Sequence, residues 1–554
     1  MLPHLMSGGC QMISAKKLIP LFAAAVLAVI LSFTASADEV ISAPGGEVSD
    51  YDGLIAALGG DGAVFVNRDK DRPEVIRYIT LRADIKLEKP IHLTEGEYFL
   101  SGAGVTVTAA FDNDSMIIVG GEKKAALAVG NAESTENDSI NNSINDSIIF
   151  DGGSDSGRST EGPVFRVSSG SELSVCTGTV IKNCLTTVCG AAVYSEGTVA
   201  FYGGTVENCR STGSGGAFFN KGKLFLTGGS ISGGSAEFGG AVYNEGTADL
   251  IGTGISACTA TKGGAVFSSG TLNFTSSSVT GCKAGEGAGV YSSGNVTFVG
   301  GQITDCVSTG NGGAVYNSGN AAFSGTYFSD NSAQNGGTLY NSSTAEISDG
   351  SMYSGTAASC GGNIYNCGNS SLAISGGSIG RGKAVYGGGI FNLGTLTVGG
   401  GGFTLNKAEA GQAILNAGKL IFNRFPYIDA KNDVFILSGH PAEIESEMKA
   451  ELIAVLTPGT ESSGVYSPLY SEDAVLIDGE FAAISYVKFK ISPDGENEWI
   501  LSFDGRISKK LPVYYSAWFW TVIVAVYAAL IAGTVFAVRL YDKKRKAPGK
   551  AAKA

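Results

Sequence analysis

A chain of 554 residues is longer than one compact core usually serves, and its 81 glycines do not follow the triplet period of collagen. Hydrophobic residues make up 44% of the chain and are interspersed throughout, which argues against intrinsic disorder. The formal net charge of −13 argues against nucleic-acid binding, because phosphate neutralisation requires a basic surface.

The N-terminal residues have the three parts of a secretory signal. Lys16 and Lys17 precede an apolar run at 18–33, which ends in the small-residue sequence Ala-Ser-Ala at 35–37. We therefore predict a signal peptide over residues 1–37. An uncleaved N-terminal anchor is the alternative.

Residues 38–185 contain short apolar segments with period-two alternation, such as 79–87, which is typical of strands with one buried face. A polar stretch rich in Asn and Ser interrupts them, and we predict a protruding loop at 122–146. We assign 38–185 to the N-terminal coils and cap of a larger repeat structure.

That structure is defined by a glycine-rich octet, such as GGAVYNSG at 312–319, which recurs with spacings of 24 to 26 residues. The ten octets begin at Gly190, Gly215, Gly239, Gly263, Gly287, Gly312, Gly336, Gly361, Gly387 and Gly411. Each is followed by two further short apolar stretches, for example Leu272 with Phe274, and then Val279. Three strands and three turns in about 24 residues predict one coil of a parallel β-helix, and stacked coils bury a continuous core. We expect regular coils over 186–423.

Two octet positions form predicted ladders. The sixth holds an inward-pointing amide that can satisfy turn backbone groups in most coils. Its asparagines are Asn220, Asn244, Asn317, Asn341, Asn366, Asn392 and Asn416. The fifth holds an aromatic residue that alternation turns outward. This aromatic row comprises Tyr194, Phe219, Tyr243, Phe267, Tyr291, Tyr316, Tyr340 and Tyr365, and continues at Phe391. It is the candidate binding site for sugar rings or a partner protein, and ring-on-ring packing is the alternative.

Five cysteines also follow the register, three residues after the third-strand anchor. They are Cys184, Cys209, Cys258, Cys282 and Cys306. Because no C-x-x-C spacing occurs, we predict no metal site and no cofactor. Buried thiols are favoured over a disulfide framework.

The C-terminal residues indicate a cap, a membrane span and a tail. Residues 424–511 lose the glycine period and are predicted to form a β-rich cap. A transmembrane helix is expected at 515–538, with Trp518 and Trp520 at its outer edge. The basic residues of 539–554 predict a cytoplasmic tail. The segment at 511–515 lacks the Thr-Gly of a sortase motif, so covalent wall attachment is the lesser alternative.

The GGA[ILV] octets, with FSDN at 328–331 and FTLN at 403–406, resemble the repeats of bacterial polymorphic membrane proteins. The resemblance covers about residues 160–425 and implies a right-handed parallel β-helix related to the pectin-lyase superfamily. Those proteins end in an outer-membrane barrel, whereas this chain ends in one apolar helix. The fold class we predict is therefore all-β, a right-handed parallel β-helix plus one C-terminal transmembrane helix.

The predicted function is that of a membrane-anchored bacterial cell-surface protein, adhesin-like or ligand-binding and not an enzyme. We expect it to be single-pass in the plasma membrane, with an extracellular ectodomain whose partner is a host or community surface glycan or protein. A structural envelope spacer is the main alternative. A polysaccharide lyase or hydrolase is the lesser one, because the repeats hold few and scattered carboxylates.

Overall fold

The computed structural model describes residues 47–58, 76–112, 114–130, 147–154, 162–448, 452–495, 497–510 and 517–545. The predicted signal peptide at 1–37 lies outside these residues, as does the tail from 546 onward. The chain forms a parallel β-solenoid of about 15 turns, with coils about 24 residues apart. The predicted all-β architecture with a C-terminal apolar helix is confirmed.

The first sheet contains the strand formed by the fourth to sixth residues of each octet, stacked in parallel with the equivalent strands of the flanking coils. Its parallel strands are Ile91–Leu93, Ile117–Val119, Phe165–Val167, Val193–Ser195, Phe218–Asn220, Val242–Asn244, Val266–Ser268, Val290–Ser292, Val315–Asn317, Leu339–Asn341, Ile364–Asn366, Ile390–Asn392, Ile414–Asn416, Asp433–Leu437, Ala454–Ser462 and Phe489–Ile491. Strand Val465–Pro468 pairs antiparallel with Ala454–Ser462 and forms a hairpin, the C-terminal hairpin, at the end of this sheet.

The second sheet follows the first after one tight turn in each coil. Its strands are Glu47–Val48, Ile76–Leu81, Gly96–Gly102, Ala125–Val129, Glu172–Val175, Thr198–Tyr202, Lys223–Thr227, Thr247–Ile251, Thr271–Thr275, Asn295–Val299, Asn320–Ser324, Thr344–Ile347, Ser371–Ile374, Thr395–Val398, Lys419–Phe422, Ala442–Ile444 and Ile477–Asp478. Alternate residues point inward, so that Leu272 and Phe274 are both fully buried.

The third sheet closes the coil. Its strands are Ile85–Leu87, Val105–Ala109, Ile148–Asp151, Val180–Lys182, Thr205–Glu207, Ser230–Ser232, Gly254–Ser256, Ser278–Thr280, Gln302–Thr304, Thr326–Ser329, Gly350–Tyr353, Ser378–Gly380, Gly402–Thr404 and Tyr427–Ile428. Short extra strands lie between the third sheet and the next octet, at Leu185–Thr186, Arg210–Ser211, Thr259–Lys262, Lys283–Glu286, Val307–Ser308, Ser332–Asn335 and Thr356–Cys360. Many coils therefore have a fourth strand beyond the three that the repeat predicts.

Equivalent slots of successive coils lie in register. Tyr316 pairs with Tyr340 and Asn317 with Asn341 in the first sheet, while Leu272 pairs with Val296 in the second. Stacking in this register forms one continuous apolar core, to which side chains of all three sheets contribute. Inside it, the rings of Phe298 and Phe323 stack with centroids 5.0 Å apart.

The ends of the solenoid differ from the predicted pattern. Helix Tyr51–Leu58 lies near the N-terminal end, where Leu54 and Leu58 are buried. The predicted loop at 122–146 is wrong over Ala125–Val129, which is a strand paired with Glu172–Val175, and its part at 131–146 lies outside the described residues. Its alternating Ala125, Leu127 and Val129 are all buried, and this apolar face outweighs the polar composition of the residues that follow.

The C-terminal cap and the apolar helix follow the last full coils. The cap contains helix Ala482–Ser485, the 3₁₀ turn Tyr486–Lys488, and a hairpin of Trp499–Leu501 with Ile507–Lys509. The final helix is Ala517–Arg545. Within it, Trp518–Lys543 is long and apolar enough to span a membrane.

Candidate functional site

The aromatic row lies on the outer face of the first sheet. In strands such as Val290–Ser292 the first and third side chains are buried and the middle one is half-buried, so Tyr291 points away from the core. Nine rings, Tyr194 to Phe391, stack in sequence with centroids 4.7 to 5.2 Å apart and interplanar angles of 3° to 21°. All eight residues of the predicted site therefore belong to one continuous stack.

Stacking determines which part of each ring a ligand can reach. Each ring face within the row is covered by the next ring, and the guanidinium of Arg166 lies 5.0 Å from the Tyr194 ring at the first end. At the other end, Tyr466 of the C-terminal hairpin packs edge-on against Phe391, with centroids 5.7 Å apart. The row therefore presents ring edges and phenol hydroxyls to solvent, and not the flat faces on which sugar rings usually stack.

The first half of the row has charged neighbours. The Lys221 ammonium lies 5.6 Å from the Phe219 ring, and the Tyr194 hydroxyl donates to Glu196 Oε1 at 2.9 Å. The Lys262 ammonium lies 4.9 Å from the Tyr291 ring and 3.0 Å from Glu286 Oε2. A hydrogen bond to Glu286 raises the pKa of Lys262, so the cation persists beside the rings. A partner would meet interleaved cations, carboxylates and ring edges here.

Two phenols in the second half of the row, Tyr340 and Tyr365, have raised pKa values. Burial raises the pKa of Tyr365 to about 12, and burial together with a hydrogen bond to Cys367 raises the pKa of Tyr340. Both phenols are therefore protonated at physiological pH, and the Tyr340 hydroxyl is already hydrogen-bonded to Cys367. The groups that act on these two phenols are thiols and other phenols, whereas lysines and glutamates act on the first half of the row.

The asparagine ladder lies inside the solenoid at the turn between the first and second sheets. Asn341 Oδ1 accepts from Asn317 Nδ2 at 2.8 Å, and Asn341 Nδ2 donates to Asn366 Oδ1 at 2.8 Å and to the Ser371 carbonyl at 3.1 Å. Ser268 and Ser292 interrupt the ladder, and Asn244 Nδ2 donates to Ser268 Oγ at 3.0 Å. These side chains satisfy buried turn groups and are not accessible to a ligand.

The five cysteines of the shared slot are buried free thiols, as their register predicts. Cys258 Sγ donates to the Ser256 carbonyl at 3.3 Å, and Cys306 Sγ donates to the Thr304 carbonyl at 3.4 Å. Hydrogen bonding to Cys209 and burial raise the pKa of the Cys184 thiol well above its ordinary value. All five thiols are buried in the core and out of reach of a substrate, so these cysteines act as small core residues.

Several aspartates of the solenoid lie at turns, where they adopt left-handed backbone conformations or accept backbone hydrogen bonds. Asp305 and Asp330 both have φ of 57°, a left-handed corner that Asp tolerates better than most residues. Asp151 accepts from the Gly153 amide at 2.9 Å and lies 3.6 Å from the Lys182 ammonium. Within the described parts of the chain, no three His, Cys, Asp or Glu side chains are grouped so that they could hold a metal ion.

No protein-family model, curated protein or solved structure matches this chain.

Several residues beside the row were not predicted. Phe238 and Tyr386 each precede an octet by one position, and Phe238 packs 5.5 Å from Phe267. Their position in the repeat could have identified them. Tyr466 packs on Tyr386 with centroids 5.1 Å apart, and it lies outside the repeat, where no periodic signal exists.

Proposed function

We propose that this chain is a membrane-anchored cell-surface β-helix protein that binds an extracellular ligand without catalysis. The apolar stretch of helix Trp518–Lys543 is not buried against the rest of the protein, whereas the apolar side of a core helix is mostly buried. At 1.5 Å per residue its 26 residues extend about 39 Å, enough for a hydrocarbon layer of about 30 Å.

The orientation we propose follows the charge at the helix ends. Arg539, Lys543 and Lys544 lie at its C-terminal end and favour a cytoplasmic tail, whereas Trp518 and Trp520 favour the outer interface. The solenoid is then extracellular. The GGA[ILV] repeats support a right-handed, pectin-lyase-like helix of the polymorphic-membrane-protein type.

The observation that carries the ligand-binding proposal is the uninterrupted row of nine half-buried or buried rings on the outer face of the first sheet. Rows of amphipathic rings are enriched in binding surfaces because they offer apolar edges together with hydroxyl donors. The favoured ligand is an extended surface glycan or a protein segment that lies along the solenoid axis. It contacts ring edges and hydroxyls.

A structural envelope spacer is the second candidate. The mutual covering of the ring faces favours it, because such stacking stabilises the sheet whether or not a ligand binds.

The test is binding of the full-length chain in lipid nanodiscs to glycan arrays and to extracellular protein extracts. Changing Tyr243, Tyr291 and Tyr316 together to Ser is expected to abolish binding, because it removes three rings of the row. The same three positions changed to Phe keep the stack and report the contribution of the hydroxyls.

Tyr327→Ser is the matched control, because Tyr327 is an exposed aromatic residue of the third sheet, away from the row. It is expected to bind like the unaltered chain. Equal binding by the triple Ser variant, with an unchanged β-sheet circular dichroism spectrum, would reject the row as the binding surface. Absence of any ligand for the unaltered chain would favour the spacer.

A further inference from the structure

We propose that the C-terminal cap rests on the outer lipid leaflet through four exposed apolar side chains, Ile484, Val487, Ile500 and Phe503, here called the cap patch. This inference rests on the proposed membrane anchoring and adds a second lipid contact to it.

The cap patch is unusually exposed for its composition. Relative exposures are 59% for Ile484, 60% for Val487, 48% for Ile500 and 65% for Phe503. Large aliphatic and aromatic side chains in water are unfavourable by an amount that grows with their apolar area. Exposed apolar groups concentrated in one segment mark a surface that another phase or molecule covers.

The four side chains lie on adjoining elements. Ile484 and Val487 occupy the helical turns at 482–488, which lead directly into strand Phe489–Ile491. That strand contacts Trp499–Leu501, the strand that carries Ile500. Phe503 lies in the turn that joins Trp499–Leu501 to Ile507–Lys509.

The short connection between the cap and the apolar helix identifies the lipid bilayer as the surface that covers the cap patch. Ile500 pairs with Ser508, two residues before Lys510, and the apolar helix begins at Ala517. Seven residue steps between Lys510 and Ala517 span at most about 25 Å. The hairpin that carries Ile500 and Phe503 is therefore tethered close to the membrane surface whenever the helix is inserted.

Charge at the same hairpin is compatible with a lipid headgroup layer. Lys509 and Lys510 are both exposed, and Lys510 forms an ion pair with Glu498 Oε2 at 2.5 Å. Lysine side chains at the edge of an apolar patch favour anionic headgroups. The cap patch thus has an apolar centre, and its border carries lysines together with the acidic residues Glu498 and Asp504, at the end of the solenoid nearest the helix.

The experiment uses full-length chains with one tryptophan each, reconstituted in vesicles whose lipids carry brominated acyl chains. The natural tryptophans are Trp499, Trp518 and Trp520. Trp499→Phe retains the ring that packs 5.6 Å from Tyr470 and removes an indole N–H that has no hydrogen-bond partner. Phe503→Trp and Tyr327→Trp are each made in a background where all three natural tryptophans are Phe.

A third chain retains only Trp518 and reports helix insertion. We expect strong quenching and a blue shift for Phe503→Trp and for the Trp518 chain, and no quenching for Tyr327→Trp, which lies far along the solenoid. Quenching of Trp518 without quenching of Phe503→Trp would overturn the cap contact and leave the anchor intact. An unquenched Trp518 would overturn both the anchor and the contact.

Discussion

Gly337→Ala is expected to lower the free energy of unfolding by about 3 kcal/mol, near the upper end for overpacking a tight interior. A Cβ atom at this position would overlap the carbonyl oxygen of Gly362 and the amide nitrogen of Thr356. Both are backbone atoms of the next coil, and the Gly337 amide itself bonds to the Gly361 carbonyl at 3.1 Å. Relief of the overlap would require the two coils to separate.

The matched control is Gly368→Ala, where a Cβ atom meets nothing within 4 Å. Its effect is expected to stay within about 0.5 kcal/mol, as for most exposed sites. Guanidinium denaturation followed by circular dichroism measures both variants. Equal midpoints for the two would contradict the close coil-to-coil approach at the second glycine of the octet.

Asn341→Leu is expected to cost about 3 kcal/mol, because it removes the four hydrogen bonds of a buried amide and each such bond contributes about 0.5–1.5 kcal/mol. The change removes both the acceptor for Asn317 Nδ2 and the donor for Asn366 Oδ1. It also removes the bonds from Asn341 Nδ2 to the carbonyls of Ser343 and Ser371, at 3.2 and 3.1 Å, and leaves the Ser343 carbonyl with the Ser371 amide alone. The Leu side chain fills the site with apolar atoms that satisfy none of these groups.

Asn341→Ser is the conservative comparison, because serine occupies the equivalent slot at Ser268 and Ser292. It keeps a hydroxyl that can bond along the ladder, and we expect less than half of the loss seen with Leu. The same denaturation measurement separates the two. A Leu variant as stable as the Ser variant would show that the ladder contributes little beyond filling space.

Much of the fold could be predicted because each slot repeats along the chain. A spacing of 24 to 26 residues fixes the stacking of Tyr316 on Tyr340 and of Asn317 on Asn341 without any knowledge of the turns. The extra strands before the octets, such as Lys283–Glu286, were not predicted, because this strand has only one apolar residue, Ala284, and so shows no apolar periodicity.

The candidate site was predicted less completely than the fold. Alternation gives the outward direction of Tyr291, but it does not give the tilt of the ring, which determines that its faces are covered by Phe267 and Tyr316. The contact of Tyr466 with Phe391 depends on a hairpin that folds back from outside the repeat. Packing between residues so far apart in the chain cannot be predicted from the periodicity of neighbouring residues.

The arrangement of the chain across the membrane is tested most directly by labelling intact cells with a membrane-impermeant amine reagent and mapping the modified lysines by mass spectrometry. Lys419, whose side chain is 55% exposed on the solenoid, and Lys543, at the end of the apolar helix, report the two sides within one chain. We predict labelling of Lys419 on intact cells, and labelling of Lys543 only after permeabilisation. Labelling of Lys543 on intact cells, or protection of Lys419 until the cells are opened, would contradict a surface-exposed solenoid held by a C-terminal membrane helix.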